Sequence, residues 1–297
     1  MNPSHMATLL AVLDEGSFEA AALSLAITPS AVSQRIKALE NQTGRVLIHR
    51  TQPATPTEAG EILAQAARRM ALLQAETDAQ LRGRLAHIPL SVAVNADSLA
   101  TWFPHVLAAA AQWDNASLRL HVEDEAHSLK LLRRGDVLGV VTRESTPVSG
   151  CDVKSLGVMR YRAVASPRLA AQYTAADGSI DWANMPALRY GPRDALQDAD
   201  LIGRVTHMPR RRRISQIPSS QGFLYAARVG LGWALLPDLQ AQDLLDSGEL
   251  ILLDEQVEDV ALYWQHWRLE SPLLNKLSSA VVDAASDLRA PRHVTGL

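Results

Sequence analysis

The chain has 297 residues, enough for two or three domains that each bury a core. Its composition, 47% hydrophobic and 21% charged with a net charge of −3, is that of a globular protein; it excludes a disordered polar chain and a general polyanion binder, but not a site-specific one with a local basic patch. The single cysteine, Cys151, excludes an intramolecular disulfide and fits a reducing cytoplasm.

Met6, Leu9, Leu10 and Leu13 recur at helical spacing and predict a first helix over about residues 3–14, ended by Glu15-Gly16. No charged lead and apolar core of a signal peptide precede it, and no run of about 18 apolar residues follows, so neither export nor a membrane span is expected. Ser17 caps a short second helix with Phe18, Ala21, Ala22 and Leu25 turned inward; alanines at 20–22 let another helix cross closely. Ala26-Ile27 is a tight connection. Thr28 then offers a capping hydroxyl, and Pro29 suits the first position of a third helix, T-P-S-A-V-S-Q-R-I-K-A-L-E. Val32, Ile36 and Leu39 fall on one face of it, and Ser30, Ser33, Gln34, Lys37 and Asn41 on the other.

That second face carries hydroxyls, an amide and a cation, the chemistry that contacts phosphates and base edges in a DNA major groove. An ordinary solvated helix face is the plainer reading of such a stretch alone. A short helix, a turn and an exposed polar helix together make the helix-turn-helix pattern. Val46-Leu47-Ile48 and His49–Pro53 then predict a two-stranded wing, with Arg50 placed to reach a phosphate or the minor groove.

G-S-F-E-A-A-A-L-S-L at 16–25, the third-helix run, G-R-V-L-I-H-R at 44–50 and T-E-A-G at 57–60 resemble, as a set, the DNA-binding domain of LysR-type transcriptional regulators. Ile48 stands where that family usually has Phe. The resemblance implies double-stranded promoter DNA and RNA polymerase as partners, and DNA contacts from Ser17, Thr28, Pro29, Ser30, Ser33, Gln34, Arg35 and Lys37, with Arg50, Thr51 and Gln52 of the wing. Within residues 1–58, Arg35, Lys37, Arg45 and Arg50 are outnumbered by Asp14, Glu15, Glu19, Glu40 and Glu58. Binding must therefore use a local patch and dimerisation, and still depend on salt.

From Thr57 an Ala-, Leu- and Gln-rich helix is predicted to about residue 81 or 84, with Ile62, Leu63, Ala66, Met70, Leu73, Thr77 and Leu81 as an apolar stripe. About 25 residues is long for a globular helix and suggests packing on a second copy, giving a homodimer and, in this family, a homotetramer. Packing on its own effector domain is the alternative.

Beyond Pro89, strands at 90–94, 118–122 and 137–141 alternate with helices at 97–113 and 126–134, which predicts a parallel sheet with mixed edges. A second unit has strands at 160–165, 187–190, 212–217, 232–235 and 262–267, a helix at 220–229, and a last helix at 273–288 that returns to the first unit. The fold expected is a two-lobed α/β effector domain, preceded by an all-α winged helix-turn-helix domain and a long linker helix. The boundaries are 1–58 for the DNA-binding domain, 59–87 for the linker, 88–160 plus 268–290 for lobe I and 161–267 for lobe II. A cleft between such lobes is a usual ligand site.

Around that cleft, backbone amides of Asn95–Ser98 can hold a carboxylate. Glu123, Asp124 and Glu125 either favour a helix dipole or hold a cationic head. Thr142 and Arg143 end a strand and either finish a carboxylate grip or are merely solvated. Tyr190, Asp194 and Ser220 occupy loops of the second lobe, Ser219 is a plain N-cap or also touches ligand, and Trp102 is the tryptophan nearest the first loop.

N-A-D-S-L-A-T-W-F at 95–103, the run 123–144, Y-G-P-R-D-A-L-Q-D at 190–198 and G-L-G-W-A-L-L-P at 230–237 resemble the lysine- and arginine-responsive branch of the family, the LysG and ArgP (IciA) type. This implies an activator of a basic amino-acid exporter gene, periplasmic-binding-protein-like in its effector domain. L-lysine, L-arginine or a similar amino acid would be the effector, its carboxylate at Ser98 and Thr142 or Arg143 and its cationic groups at Asp97, Glu123, Asp124 or Asp194. The alternative is a replication-initiation inhibitor or architectural DNA binder of the IciA type. No cofactor, metal site or catalytic constellation is expected: the nine histidines lack ligand spacing, and no G-x-S-x-G or phosphate-cradling loop occurs. The run Arg210–Arg213 reads as a solvated strand edge or a salt-bridged subunit contact, with a second nucleic-acid patch as the alternative, and Cys151 as an inert thiol rather than a redox sensor.

Overall fold

A computed structural model describes residues 1–82, 88–114, 116–123, 125–192, 194, 196–205 and 212–288. Asp124, Arg210, Arg211 and the end of the linker at 83–87 lie outside the described residues, as does the side chain of Glu125.

The N-terminal domain consists of α1 (Pro3–Glu15), α2 (Phe18–Ser24) and α3 (Pro29–Thr43), followed by the paired strands β1 (Ile48–His49) and β2 (Thr55–Pro56). Its helix ends follow from local chemistry. Asn2, Ser17 and Thr28 accept hydrogen bonds from the first-turn amides of α1, α2 and α3, and Gly16 and Gly44 close α1 and α3 at φ +73° and +65°, the left-handed region that favours glycine. Ala21 and Ala22 are buried where α2 meets its neighbours, whereas Phe18 and Leu25 are only half-buried. Met6, Leu9, Val12, Val32, Ile36, Leu39, Leu47 and Ile48 form the core.

The linker helix α4 (Glu58–Arg82) does not bury its stripe as a unit. Leu63, Ala64 and Ala67 are buried, Leu63 and Ala67 in the N-terminal core, and Leu72 in the core of the effector domain. Ile62, Met70, Leu73 and Leu81 remain exposed. Gly60 sits so close to the wing that a Cβ there would lie 1.9 Å from the Leu47 carbonyl oxygen.

The effector domain contains β3 (Ile88–Val94), α5 (Ala96–Ala100), α6 (Pro104–Ala110), β4 (Ala116–Val122), α7 (Glu125–Arg134), β5 (Gly139–Thr142), β6 (Cys151–Ala165), α8 (Pro167–Tyr173), β7 (Ala187–Arg189), α9 (Leu196–Ile202), β8 (Ile214–Gln216), α10 (Ser220–Arg228), β9 (Ala234–Pro237), α11 (Asp238–Asp246), β10 (Ile251–Trp267) and α12 (Pro272–Ala284) with a 3-10 turn at Ala285–Asp287. One six-stranded sheet has the order β4-β3-β5-β10-β6-β9, and β7 pairs with β8. Only β3 with β4 and β5 is parallel there; β10 runs antiparallel to both β5 and β6.

Three expectations need correction. The helix expected at 97–113 is two helices, because buried Trp102 and Phe103 break it before Pro104, which cannot continue a ladder. The strands at 160–165 and 262–267 are the ends of much longer ones: β6 has 15 residues and β10 has 17, paired side by side with a register irregularity at Leu262-Tyr263 opposite Gly157. Tyr263–His266, placed in lobe II by the expected boundary at 267, pair with β5 of lobe I, so β10 passes between the lobes before its end at Trp267. Helices α8, α9 and α11 were not expected; each is short, seven to nine residues, and gives little periodicity to read.

Candidate functional site

Two regions carry chemistry. On the first, Ser30, Gln34, Lys37 and Asn41 are exposed and Ser33 is half-buried, while Val32, Ile36 and Leu39 of the same helix are fully covered. The Thr28 hydroxyl accepts from Ala31 N at 3.2 Å and the Ser17 hydroxyl from Ala20 N at 3.0 Å, so both are engaged as caps, with Pro29 in the first turn. Arg35 departs from the expected face. It is half-buried and its guanidinium donates to Thr8 Oγ1 at 3.3 Å, bracing α3 on α1. Arg50 is exposed at the wing with its guanidinium 5.2 Å from the Phe18 ring centre. Thr51 donates to the Pro53 carbonyl at 2.8 Å, and Gln52 is exposed beside it.

The second region lies where the lobes meet. The Asn95 side chain caps α5, accepting from Ser98 N at 2.8 Å, and this sets Asp97 and Ser98 on the first turn. Asp97 Oδ2 accepts from the Tyr161 hydroxyl of β6 at 2.8 Å. Burial pushes the Asp97 carboxyl up to about 6; the Tyr161 bond opposes this and the charge of Asp194 adds to it. Asp194 itself is held by backbone, accepting from Tyr190 N at 3.0 Å and Leu196 N at 3.2 Å. Burial and the Asp97 charge raise the Tyr190 phenol, and a hydrogen bond with Ser220 works against them. Ser220 Oγ also donates to the Ala96 carbonyl at 3.4 Å, from the second lobe to the first. Asp97, Tyr161, Tyr190, Asp194 and Ser220 thus converge, with two carboxylates in mutual range. Ser98 is completely buried, and its hydroxyl has no partner among the described residues.

The other candidates divide. Thr142 is buried and accepts from Glu144 N at 3.2 Å, whereas Arg143 is exposed. Glu123 is half-buried at the start of the neighbouring turn. Ser219 is exposed and caps α10 through Gly222 N at 3.3 Å. Trp102 is core, 1% exposed and edge-on to Phe103 at 5.6 Å. Tyr161 was missed. It lies on a strand 64 residues from Asp97, and nothing in its own stretch signals that pairing. Of the arginine run, Arg212 bonds Asp198 at 3.0 Å and Arg213 donates to the Tyr173 hydroxyl. Cys151 is buried, its thiol pushed up to about 12 by burial.

Among the described residues no helix is long and apolar enough to cross a membrane. Residues 3–61 match the bacterial regulatory helix-turn-helix protein, lysR family, and residues 84–286 match the LysR substrate binding domain. Over 285 residues the chain is 63% identical to the lysine export transcriptional regulatory protein LysG of Corynebacterium efficiens, covering 96% of this chain and 98% of that protein. Full-length LysG from Corynebacterium glutamicum with bound effector Arg superposes with a TM-score of 0.85 at 60% identity, over 98% of this chain and all of that one. ArgP from Mycobacterium tuberculosis gives 0.87 at 39% identity, with the same coverage.

Proposed function

Because this chain belongs to the LysR family of bacterial DNA-binding regulators, we propose that it is a transcriptional regulator, not an enzyme, that activates a basic amino-acid export gene when L-lysine or L-arginine occupies its cleft. The observation that carries this reading is the junction of Asp97 and Asp194 between the lobes. Burial makes Asp97 costly as an anion, and the neighbouring charge of Asp194 adds to that cost, so a cationic side chain or ammonium group gains most there. Tyr161 and Tyr190 line the same place. The orphaned Ser98 hydroxyl supports an amino-acid carboxylate at the start of α5. Glu123 and Thr142 complete the rim.

Two copies pair through the exposed Ile62, Met70, Leu73 and Leu81 of α4, and pairs of dimers form the tetramer. Ser30, Ser33, Gln34 and Lys37 enter the major groove of promoter DNA, Ser17, Thr28 and Pro29 set the start of the helices, and Arg50, Thr51 and Gln52 contact the backbone beside them. Cleft closure changes the spacing of the two reading helices, and the regulator then engages RNA polymerase on cytoplasmic, nucleoid DNA. A ligand moves that equilibrium only by its differential affinity for the two states. The replication-inhibitor reading is not favoured, since the 63% identical relative is named an export regulator.

Titration calorimetry with the twenty amino acids, paired with footprinting of the upstream promoter, tests the proposal. Micromolar to millimolar binding confined to basic amino acids, with a footprint that changes on their addition, supports it. Identical footprints with and without L-lysine and L-arginine would sink it.

A further inference from the structure

Helix α4 changes hosts along its length. Leu63 and Ala67 complete the N-terminal core, and Leu72 belongs to the effector core. The carboxylate of Glu76, almost fully buried, accepts from Ser271 Oγ at 2.5 Å and from Leu273 N at 3.2 Å, fixing the helix to the start of α12. Arg69 lies 4.3 Å over the Trp267 ring. Arg68 sits where the change occurs. Its Nη2 donates to Asp14 Oδ1 of α1 at 2.7 Å and to Asp136 Oδ1 of lobe I at 2.7 Å, and its Nη1 donates to Asp14 Oδ2 at 3.2 Å. One guanidinium therefore joins the DNA-reading domain, the linker and the effector lobe. The approach is close: Gly135 has φ +77°, and a Cβ there would meet Gln65 Cα at 3.1 Å. A second ion pair, Arg134 with Glu61 at 3.2 Å, lies on the same seam.

We infer that Arg68 is the positioning residue that sets the pose of the DNA-reading domain on the effector lobe and passes the state of the cleft to it. The route is short. Asp136 stands three residues before β5, whose other end, Thr142, is on the cleft rim, and Asp14 stands at the end of α1, which packs on α3. A shift of β5 moves Asp136, and the shared guanidinium moves with it. A planar fork holding two carboxylates fixes direction as well as distance, which an ammonium does not. Without Arg68 the two carboxylates face each other and push the domains apart. Asp136 is held partly buried there, so it is poorly screened.

The effector arm of this inference rests on the function proposed above, and the test separates the two. Full-length parent protein and Arg68→Met, Arg68→Lys and Asp14→Asn variants are compared by calorimetry with L-arginine, by promoter footprinting with and without it, and by amide exchange of α1 and residues 133–138. Arg68→Met should bind L-arginine within twofold of the parent but lose the ligand-dependent change in the footprint. Exchange in both segments should rise at least tenfold, and Arg68→Lys should restore part of each. Asp14→Asn changes a half-exposed surface carboxylate and should give the same direction if Arg68→Met fails to fold. Unchanged exchange and an intact footprint response in Arg68→Met or, where that does not fold, in Asp14→Asn overturn the inference. If the parent binds no L-arginine, the proposed function fails, and the exchange arm still decides the role of Arg68.

Discussion

At the scale of single residues, Asp97 is the most exposed to test. Its carboxyl is raised to about 6 from an ordinary value of 3.8, with burial as the leading cause. A raised acid costs the fold stability above its folded value, and that cost fades as pH falls through about 6 towards 4. Cation binding runs the other way, because it needs the carboxylate. Affinity for L-lysine or L-arginine, measured by calorimetry at pH 7.5 and pH 5, should therefore fall at the lower pH. The cation should also release more protons on binding as pH approaches 6. Asp97→Asn should lose about tenfold to a hundredfold in affinity at pH 7.5, the effect of one charge-assisted contact of roughly 1.5–3 kcal/mol. Affinity unchanged by the substitution would move the cationic head elsewhere in the cleft. On the DNA face, Lys37→Ala should weaken binding alike on all sequences and reduce the salt slope by about one. Gln34→Ala should relax specificity at one base pair, at about 1–3 kcal/mol. Mobility-shift assays at several salt concentrations separate these two outcomes.

At the scale of elements, α4 is the informative one. Its sequence stripe looked continuous, but the helix packs one part on the N-terminal core, another on the effector core, and leaves Ile62, Met70, Leu73 and Leu81 in solvent. Periodicity reports that a face is apolar, not which neighbour covers it. Leu73→Glu or Met70→Glu should reduce the dimer to monomer in analytical ultracentrifugation while leaving the far-ultraviolet spectrum of the chain unchanged. A dimer that survives both would assign pairing to another surface. The seat of α4 on the wing depends on Gly60, where a methyl would overlap the Leu47 carbonyl. Gly60→Ala should therefore destabilise by about 1–3 kcal/mol in denaturant melts, despite the better helix propensity of alanine. The helix-turn-helix itself was readable because its signals are local: Ser17 and Thr28 caps, Gly16 and Gly44 stops, and a face of small polar side chains. Helices α5 and α6 were read as one because the break depends on Trp102 and Phe103 turning into the core, a tertiary event.

At the scale of the whole molecule, a net charge of −3 and a DNA-binding domain in which acids outnumber bases leave affinity to a small local patch, repeated in the proposed dimer. Promoter affinity should consequently fall steeply with salt and collapse in a monomeric variant. The amino-acid sequence by itself determined the helix-turn-helix, the exposed polar face of its third helix, and the alternation of strands and helices. Each of these rests on caps, periodicity or motif spacing within a few turns of chain. Tertiary structure alone decided that β6 and β10 run from lobe to lobe, that Tyr161 meets Asp97, that Arg35 leans back on Thr8, and that Arg68 lies between Asp14 and Asp136. Those residue pairs are 27 to 68 residues apart, and the two strands have a register fixed only when both faces are packed; no local pattern encodes a partner at that distance.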